Sequence, residues 1–366
     1  MKGKKADKFF LIIIFLLLAL GVAMFVSASL GVLAKNEKIF FSALFSQLVL
    51  GLGLGFLGMY FCSKINYKFW RKFSFLFFLG SILLTAAVFI PSLGWSHGGA
   101  ERWIQLGPIS FQPVEFLKFA FVIYFAAWLS WAKNRVQDFK FGILPFLTMI
   151  AVIAFILFKQ PDTKSFILIV VTGISMLFIS NVPIKYIFGA LFGAVLLLGT
   201  LVYFKPYLQE RLKTFINPSQ DAQGSSYQIQ QSLIALGSGG VFGRGFGQSI
   251  QKFSYLPESQ GDSIFAVLGE ELGFIGSTIT IFLYLFFILR GFRIANRSPD
   301  SFSGLLVYGI VILITAQSFM HIASVVGVFP LTGVPLVFMS QGGTSLLVYM
   351  MAIGIVLNIS KFQKKS

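Results

Sequence analysis

The sequence is poor in reactive side chains. It has one cysteine, two histidines and 13 acidic residues in 366 positions. The lone Cys62 permits neither a disulfide framework nor a thiolate metal site, and reads as small apolar filler. His97 and His321 stand in different segments with no H-x-x-H or H-E-x-x-H pattern, which excludes a histidine metal centre. No G-x-S-x-G elbow occurs. The run GSGGVFGRGFG lacks the spacing of a P-loop or a dinucleotide fingerprint, which excludes a nucleotide site.

Charge is scarce as well. Charged residues make up 11% of the chain, against roughly 25% in a soluble domain. With 56% hydrophobic residues and a mean hydropathy of +0.84, this composition belongs to a polytopic membrane protein. Ten apolar segments have spanning length: 9–33, 39–62, 73–90, 113–131, 142–158, 165–180, 186–204, 263–289, 302–326 and 344–359. The first follows four lysines but is far longer than a signal-peptide core, so it reads as an uncleaved helix.

The few charges are sorted. Ten spans put both termini on one side, and that side carries 18 basic and three acidic residues. The other carries 11 and 10. The bias predicts cytoplasmic termini, and it accounts for the net charge of +16 without any nucleic acid partner. The acids and the unusual connections then face outward. The longest, 205–262, holds a helix-like SSYQIQQSLIAL and the glycine-rich run.

Four acids, Glu258, Asp262, Glu270 and Glu271, crowd into YLPESQGDSIFAVLGEELGFIG at residues 255–276. Asp262 opens the eighth segment. It suits an N-cap, favoured by free N–H groups and the helix dipole. It equally suits a general base, because Ala266, Gly269 and Gly273 leave a groove beneath it, walled by Phe265 and Leu268. Glu270 and Glu271 lie about two turns deeper, and two adjacent acids in a span cannot both face lipid, so they read as buried structural partners. Glu115 and Lys118 are spaced i,i+3 at the start of the fourth segment. They form an ion pair that orients helices or lines the same outer cavity. Arg102 beside Trp103, Arg244 in the glycine run, and Lys252 after it are solvated loop charges or phosphate ligands. PLTGVPLVFMSQGGTSLL, at residues 330–347, predicts broken or re-entrant backbone offering Ser340, Gln341 and Thr344 to a cavity.

Three stretches together carry a resemblance: GAERWIQLGPISFQPVEFLK, the run from RLKTFINPSQ through YLPESQGDSIFAVLGEELGFIG, and FPLTGVPLVFMSQGGTS. They are similar to the SEDS family (shape, elongation, division and sporulation), to its FtsW branch more than its RodA branch. The resemblance spans nearly the whole chain and implies one all-α membrane domain over 1–366, with ten transmembrane helices, cytoplasmic termini and a large extracytoplasmic loop at 205–262. It implies a peptidoglycan glycosyltransferase that polymerises lipid II at the outer face of the cytoplasmic membrane during division. The family's L-P-E-x-x-x-D aspartate falls on Asp262, its Q-P-x-E-x-x-K pair on Glu115 and Lys118, its R-W-I arginine on Arg102, and its Gly-Arg/Lys-Gly position on Arg244. Glu258, Lys252 and Ser340 join the expected substrate contacts.

In this reading Asp262 takes the proton from an acceptor sugar hydroxyl, and the arginines and lysines hold the donor's pyrophosphate. A divalent cation, Mg or Mn, held by Asp262 would share the phosphate work. The resemblance also implies a class B penicillin-binding protein transpeptidase and other division proteins as partners, at the septum. The alternatives are a lipid II flippase or a non-catalytic division scaffold. The sequence departs from the family pattern at Thr163-Lys164 after Gln160-Pro161-Asp162, at Gln260-Gly261 before Asp262, and at His321, where the family commonly has asparagine.

Overall fold

The computed structural model describes residues 5–34, 36–91, 93–97, 100–106, 109–217 and 225–364. The chain is helical apart from one small sheet. Its helices are α1 (Lys8–Leu33), α2 (Glu37–Leu44), α3 (Leu54–Lys64), α4 (Tyr67–Lys72), α5 (Ser74–Ala86), α6 (Pro113–Ala132), α7 (Ile143–Lys159), α8 (Thr163–Ile179), α9 (Ile184–Phe204), α10 (Pro206–Ile216), α11 (Ser225–Ser238), α12 (Gln251–Ser254), α13 (Ile264–Asn296), α14 (Ser301–Val325) and α15 (Gly343–Ser360). A π-helical stretch, Phe45–Gly53, fuses α2 to α3.

The helix starts follow from capping chemistry. Asp7, Asn36, Asp162 and Asp300 accept backbone N–H bonds at the heads of α1, α2, α8 and α14. Pro113 and Pro206 open α6 and α10, where a missing N–H costs nothing.

Among the described residues seven helices are long and apolar enough to cross a membrane: Lys8–Leu33, Glu37–Lys64, Pro113–Gln137, Ile184–Phe204, Ile264–Asn296, Ser301–Val325 and Gly343–Ser360. Three shorter apolar helices, Ser74–Phe89, Ile143–Lys159 and Thr163–Ile179, coincide with the remaining expected segments. Helices α6, α14 and α15 form the centre, whereas α9 buries only Ile187 and Ala190 and lies at the edge. Lipid supplies no hydrophobic drive between helices, so close packing and polar ties hold the bundle. Arg290 pairs with Asp7 at 2.8 Å, and Asn358 joins Ser63 and Tyr67.

Two features depart from expectation. The connection before α6 is a three-stranded antiparallel sheet, β1 (Gly94–His97), β2 (Ala100–Leu106) and β3 (Ile109–Phe111), so the fold is not purely helical. The paired strands satisfy one another's backbone groups across this connection. Second, α13 is broken at Gly273, whose φ of 67° and ψ of −164° lie outside helical space. The segment 264–272 is therefore a separate half-helix that carries Glu270 and Glu271, and Asp262 stands in the turn just before it rather than on a continuous span.

The segment 329–342 is irregular and buried, with Val334, Leu336, Val337, Phe338 and Met339 inside the protein. This is the arrangement expected from its prolines and glycines. Non-helical backbone at such depth is tolerated only when its polar groups find partners, and here they do.

Candidate active site

Five carbonyls of the buried segment meet side chains from four helices of the bundle. Arg211 of α10 donates to Thr332 O at 3.2 Å, and Lys164 of α8 to Gly333 O. From α14, the His321 ring meets Val334 O through Nδ1 at 2.7 Å, and Gln317 donates to Pro335 O at 3.1 Å. Tyr284 of α13 donates to Val337 O. A carbonyl only accepts, so Nδ1 of His321 carries its proton and Nε2 is the bare nitrogen. Nε2 is buried with no partner among the described residues.

Asp262 stands against this hub. A Cβ built on Gly333 would lie 2.9 Å from its Oδ2 and 3.7 Å from Lys164 Nζ, so carboxylate and ammonium flank one glycine. The Asp262 charge also reaches Arg211 and His321. Arg211 is exposed as a residue, yet packing round its guanidinium lowers its pKa. Asp262 and Tyr207 pull the other way, and Arg102 adds to the lowering. Arg102 itself, on β2, donates to the carbonyls of Gln160 (3.0 Å) and Pro161. Thus Arg102, Lys164 and Arg211 are all held by carbonyl oxygens, and their positive charge remains to be matched.

The acids divide on the same criterion. Glu115, Glu270 and Glu271 are buried and bonded, and Asp162 is engaged as a helix cap. Asp262 is half-buried, and among the described residues it has no hydrogen bond or direct ion pair. The N-cap of the half-helix is Ser263, without a side-chain cap bond, so Asp262 does not serve as one. Its turn is fixed by backbone instead. Glu258 O accepts from Gly261 N and Ser263 N, at 3.0 and 3.1 Å.

Beside this cluster an apolar slot of about 180 Å³ opens between α8, α9, α10 and residues 329–332, with Lys164 and Arg211 on its wall. The groove expected over Ala266, Gly269 and Gly273 is filled. A Cβ on Gly269 would meet Leu236 of α11 at 2.4 Å, so the small side chains admit a helix, not a ligand.

A family model described as a cell cycle protein, FTSW_RODA_SPOVE, matches residues 7–365. The chain belongs to the FtsW–RodA–SpoVE family. Stage V sporulation protein E of Bacillus subtilis is 39% identical over 366 residues, covering 99% of both chains. A probable peptidoglycan glycosyltransferase FtsW of Geobacter sp. (strain M18) is 37% identical over 356 residues, covering 97% of this chain and 96% of its own. Among solved structures, a chain from a study of polymerization and crosslinking by a peptidoglycan synthase complex superposes with a TM-score of 0.78 at 25% identity, over 97% of both chains. The Rod shape determining protein RodA of Thermus thermophilus gives 0.71 at 23% identity, over 99% of this chain and 98% of that one. The bundle is thus a RodA-like fold.

Within this family fold the expected site residues fall into two groups. Asp262 and Arg102 are brought to the hub. Glu115 and Lys118 form their pair at 2.9 Å beneath it, and Lys118 Nζ continues to Gln317 and Tyr349 at 2.8 and 3.2 Å. Lys252, Arg244 and Ser340 were expected to touch substrate and are placed otherwise. Lys252 is buried, and its three N–H donors meet Ser27 Oγ (2.9 Å), Gly247 O (2.8 Å) and Glu271 Oε1 (2.7 Å), leaving none for a phosphate. Arg244 leans on Glu270 at 3.5 Å with its side chain 38% exposed, roughly 12 Å along the half-helix from Asp262. The glycine run around it is a packing device. Gly243, at φ +81°, would place a Cβ 2.1 Å from Glu271 O, so only glycine lets the two backbones meet. The Ser340 hydroxyl joins Gly261 O and Leu336 N, tying the hub to the Asp262 turn. Glu258 is exposed at that turn, with a φ of 47°.

The reading from sequence missed Lys164, Arg211, Gln317 and the part played by His321. Lys164 and His321 were visible as departures from the family pattern. Arg211 carried no local signal, since nothing in QERLK predicts that α10 folds back over α8. A resident divalent ion does not fit these residues: Asp262 is the one uncommitted carboxylate among the cations, Asp162 being engaged by Ser165, and among the described residues no three His, Cys, Asp or Glu side chains gather.

Proposed function

We propose that the protein is a peptidoglycan glycosyltransferase that polymerises lipid II at the outer face of the cytoplasmic membrane. All ten apolar helices cross, the termini are cytoplasmic, and the 205–262 connection is extracytoplasmic. Asp262 accepts the proton of the acceptor sugar hydroxyl as that oxygen attacks the anomeric carbon of the donor. The pyrophosphate leaves toward Arg211, Lys164 and Arg102. The apolar slot beside them suits the first isoprene units of the lipid carrier. A single base with direct displacement inverts the anomeric centre.

The observation that carries this reading is the contrast among acids: of the described acids that are not exposed, Asp262 is the one left without a bonded partner, and it stands beside three cations whose charge is unmatched. A general base contributes about 10²- to 10⁴-fold to rate. Preorganised cations around a leaving phosphate contribute on a similar scale. The relatives named as glycosyltransferases and the likeness to a chain of a peptidoglycan synthase complex support the activity and are consistent with a class B penicillin-binding protein partner.

The test is incubation of purified protein with lipid II, with and without the transpeptidase, and separation of the products by gel. Glycan strands are expected. Lipid transfer across reconstituted vesicles with no polymer would replace this reading with transport.

A further inference from the structure

A large cavity lies at the other end of the bundle. It holds about 880 Å³ between the end of α6, the end of α8, the α13–α14 turn, Arg71 of α4 and Lys364 of the C-terminal tail. Along α14 its lining residues are roughly 20–30 Å from His321 and the hub, so it is no part of the site above. Its volume is in the range of small-molecule pockets.

Its charge is one-sided. Arg71, Lys133 and Lys364 line it, and among the described residues none of the three pairs with a carboxylate. Arg71 instead lies over the Phe302 ring, 5.9 Å from its centre. The acid on the wall, Asp300, is engaged: Oδ2 accepts from the Tyr67 hydroxyl at 2.7 Å, and Oδ1 caps α14 at Ser303 N, 2.9 Å. Three helices, α6, α8 and α13, end here, each adding roughly half a negative charge. Three full positive charges outweigh them and Asp300 together. Asn134 and Asn181 add amide groups to the same wall, and the tail closes one side through Lys364 N to Arg297 O at 2.9 Å.

From this arrangement we infer a second binding site, for a phosphate ester with a hydroxyl-bearing body. The cations take the phosphate, and the amides take the body that fills a space far larger than a bare phosphate. A glycerophosphate-type lipid headgroup and a soluble phosphate ester share this chemistry. The site is independent of the glycosyl-transfer reading.

The test uses the full-length protein in neutral detergent. Native mass spectrometry counts adducts with phosphatidylglycerol, phosphatidylcholine or sn-glycerol 3-phosphate, and melting is followed in parallel. One phosphatidylglycerol is expected to be retained at least fivefold over phosphatidylcholine if the source is a headgroup. Glycerol 3-phosphate alone binds if it is a soluble ester. R71Q/K133Q/K364Q loses fivefold or more of the occupancy, and R71K/K133R/K364R keeps it. Should the glutamine triple melt early, K133Q, at an exposed position, is read in its place. Equal retention of both lipids with no glycerol 3-phosphate adduct overturns the proposal. So does wild-type occupancy in a neutralised variant that melts normally.

Discussion

Asp262 leaves no room for a side chain at Gly333: a Cβ on the glycine would stand 2.9 Å from the carboxylate Oδ2, and the glycine sits at φ +65°. Space and backbone both demand glycine, and the contact faces the proposed base. In Gly333→Ala the left-handed conformation costs about 1–2 kcal/mol, and the new methyl displaces Asp262. We expect polymerisation to fall more than tenfold with only a modest drop in melting temperature. Activity at the wild-type rate would detach this contact from catalysis.

Lys252 and Glu271 form a pair with both side chains fully buried, 2.7 Å apart, which holds the glycine-rich loop and α1 to the half-helix. Removing one partner of a buried pair strands the other charge and costs about 3–5 kcal/mol. Lys252→Met should therefore unfold at markedly lower temperature, and Lys252→Met/Glu271→Gln should recover part of the loss. A Lys252→Met protein that melts normally but binds lipid II poorly would instead restore Lys252 as a substrate contact.

Arg211 and Lys164 are anchored to carbonyls of the buried segment and lack a bonded carboxylate, so their loss should be felt by the substrate more than by the fold. Arg211→Gln and Lys164→Gln are each expected to reduce turnover by tenfold or more with little change in melting. Lys164→Arg should retain most activity. Steady-state rates over a range of lipid II concentrations check this, and unchanged rates in both glutamine variants would refute it.

His321 donates from Nδ1 to Val334 O inside the protein. Asparagine can also donate there, whereas leucine leaves the carbonyl unpaired at a cost of about 1–3 kcal/mol. His321→Asn is expected to stay active and His321→Leu to lose both stability and turnover, as read by melting and polymerisation.

The helical bundle was legible because hydropathy marks an apolar helix directly, and every expected segment falls on an apolar helix. Buried charge was also legible: the i,i+3 spacing of Glu115 and Lys118 and the adjacency of Glu270 and Glu271 each forecast a paired interior group. What could not be read was which loop charge meets which acid. Lys252 and Arg211 are both basic residues of the 205–262 connection. Tertiary folding sends Lys252 into a saturated pocket and Arg211 to Asp262. Small residues misled for a related reason. Ala266 and Gly269 suggested an open groove, but a small face serves a packed helix as well as a ligand, and Leu236 of α11 occupies it.

The most direct measurement is the turnover of lipid II by purified Asp262→Asn protein beside the wild type. Asparagine keeps the size and the surroundings of the side chain and removes its basicity. The account predicts a fall of at least ~10²-fold, the lower end of general-base catalysis, with an unchanged melting temperature. Polymerisation within a few fold of wild type would contradict it and leave Asp262 without a role in proton transfer.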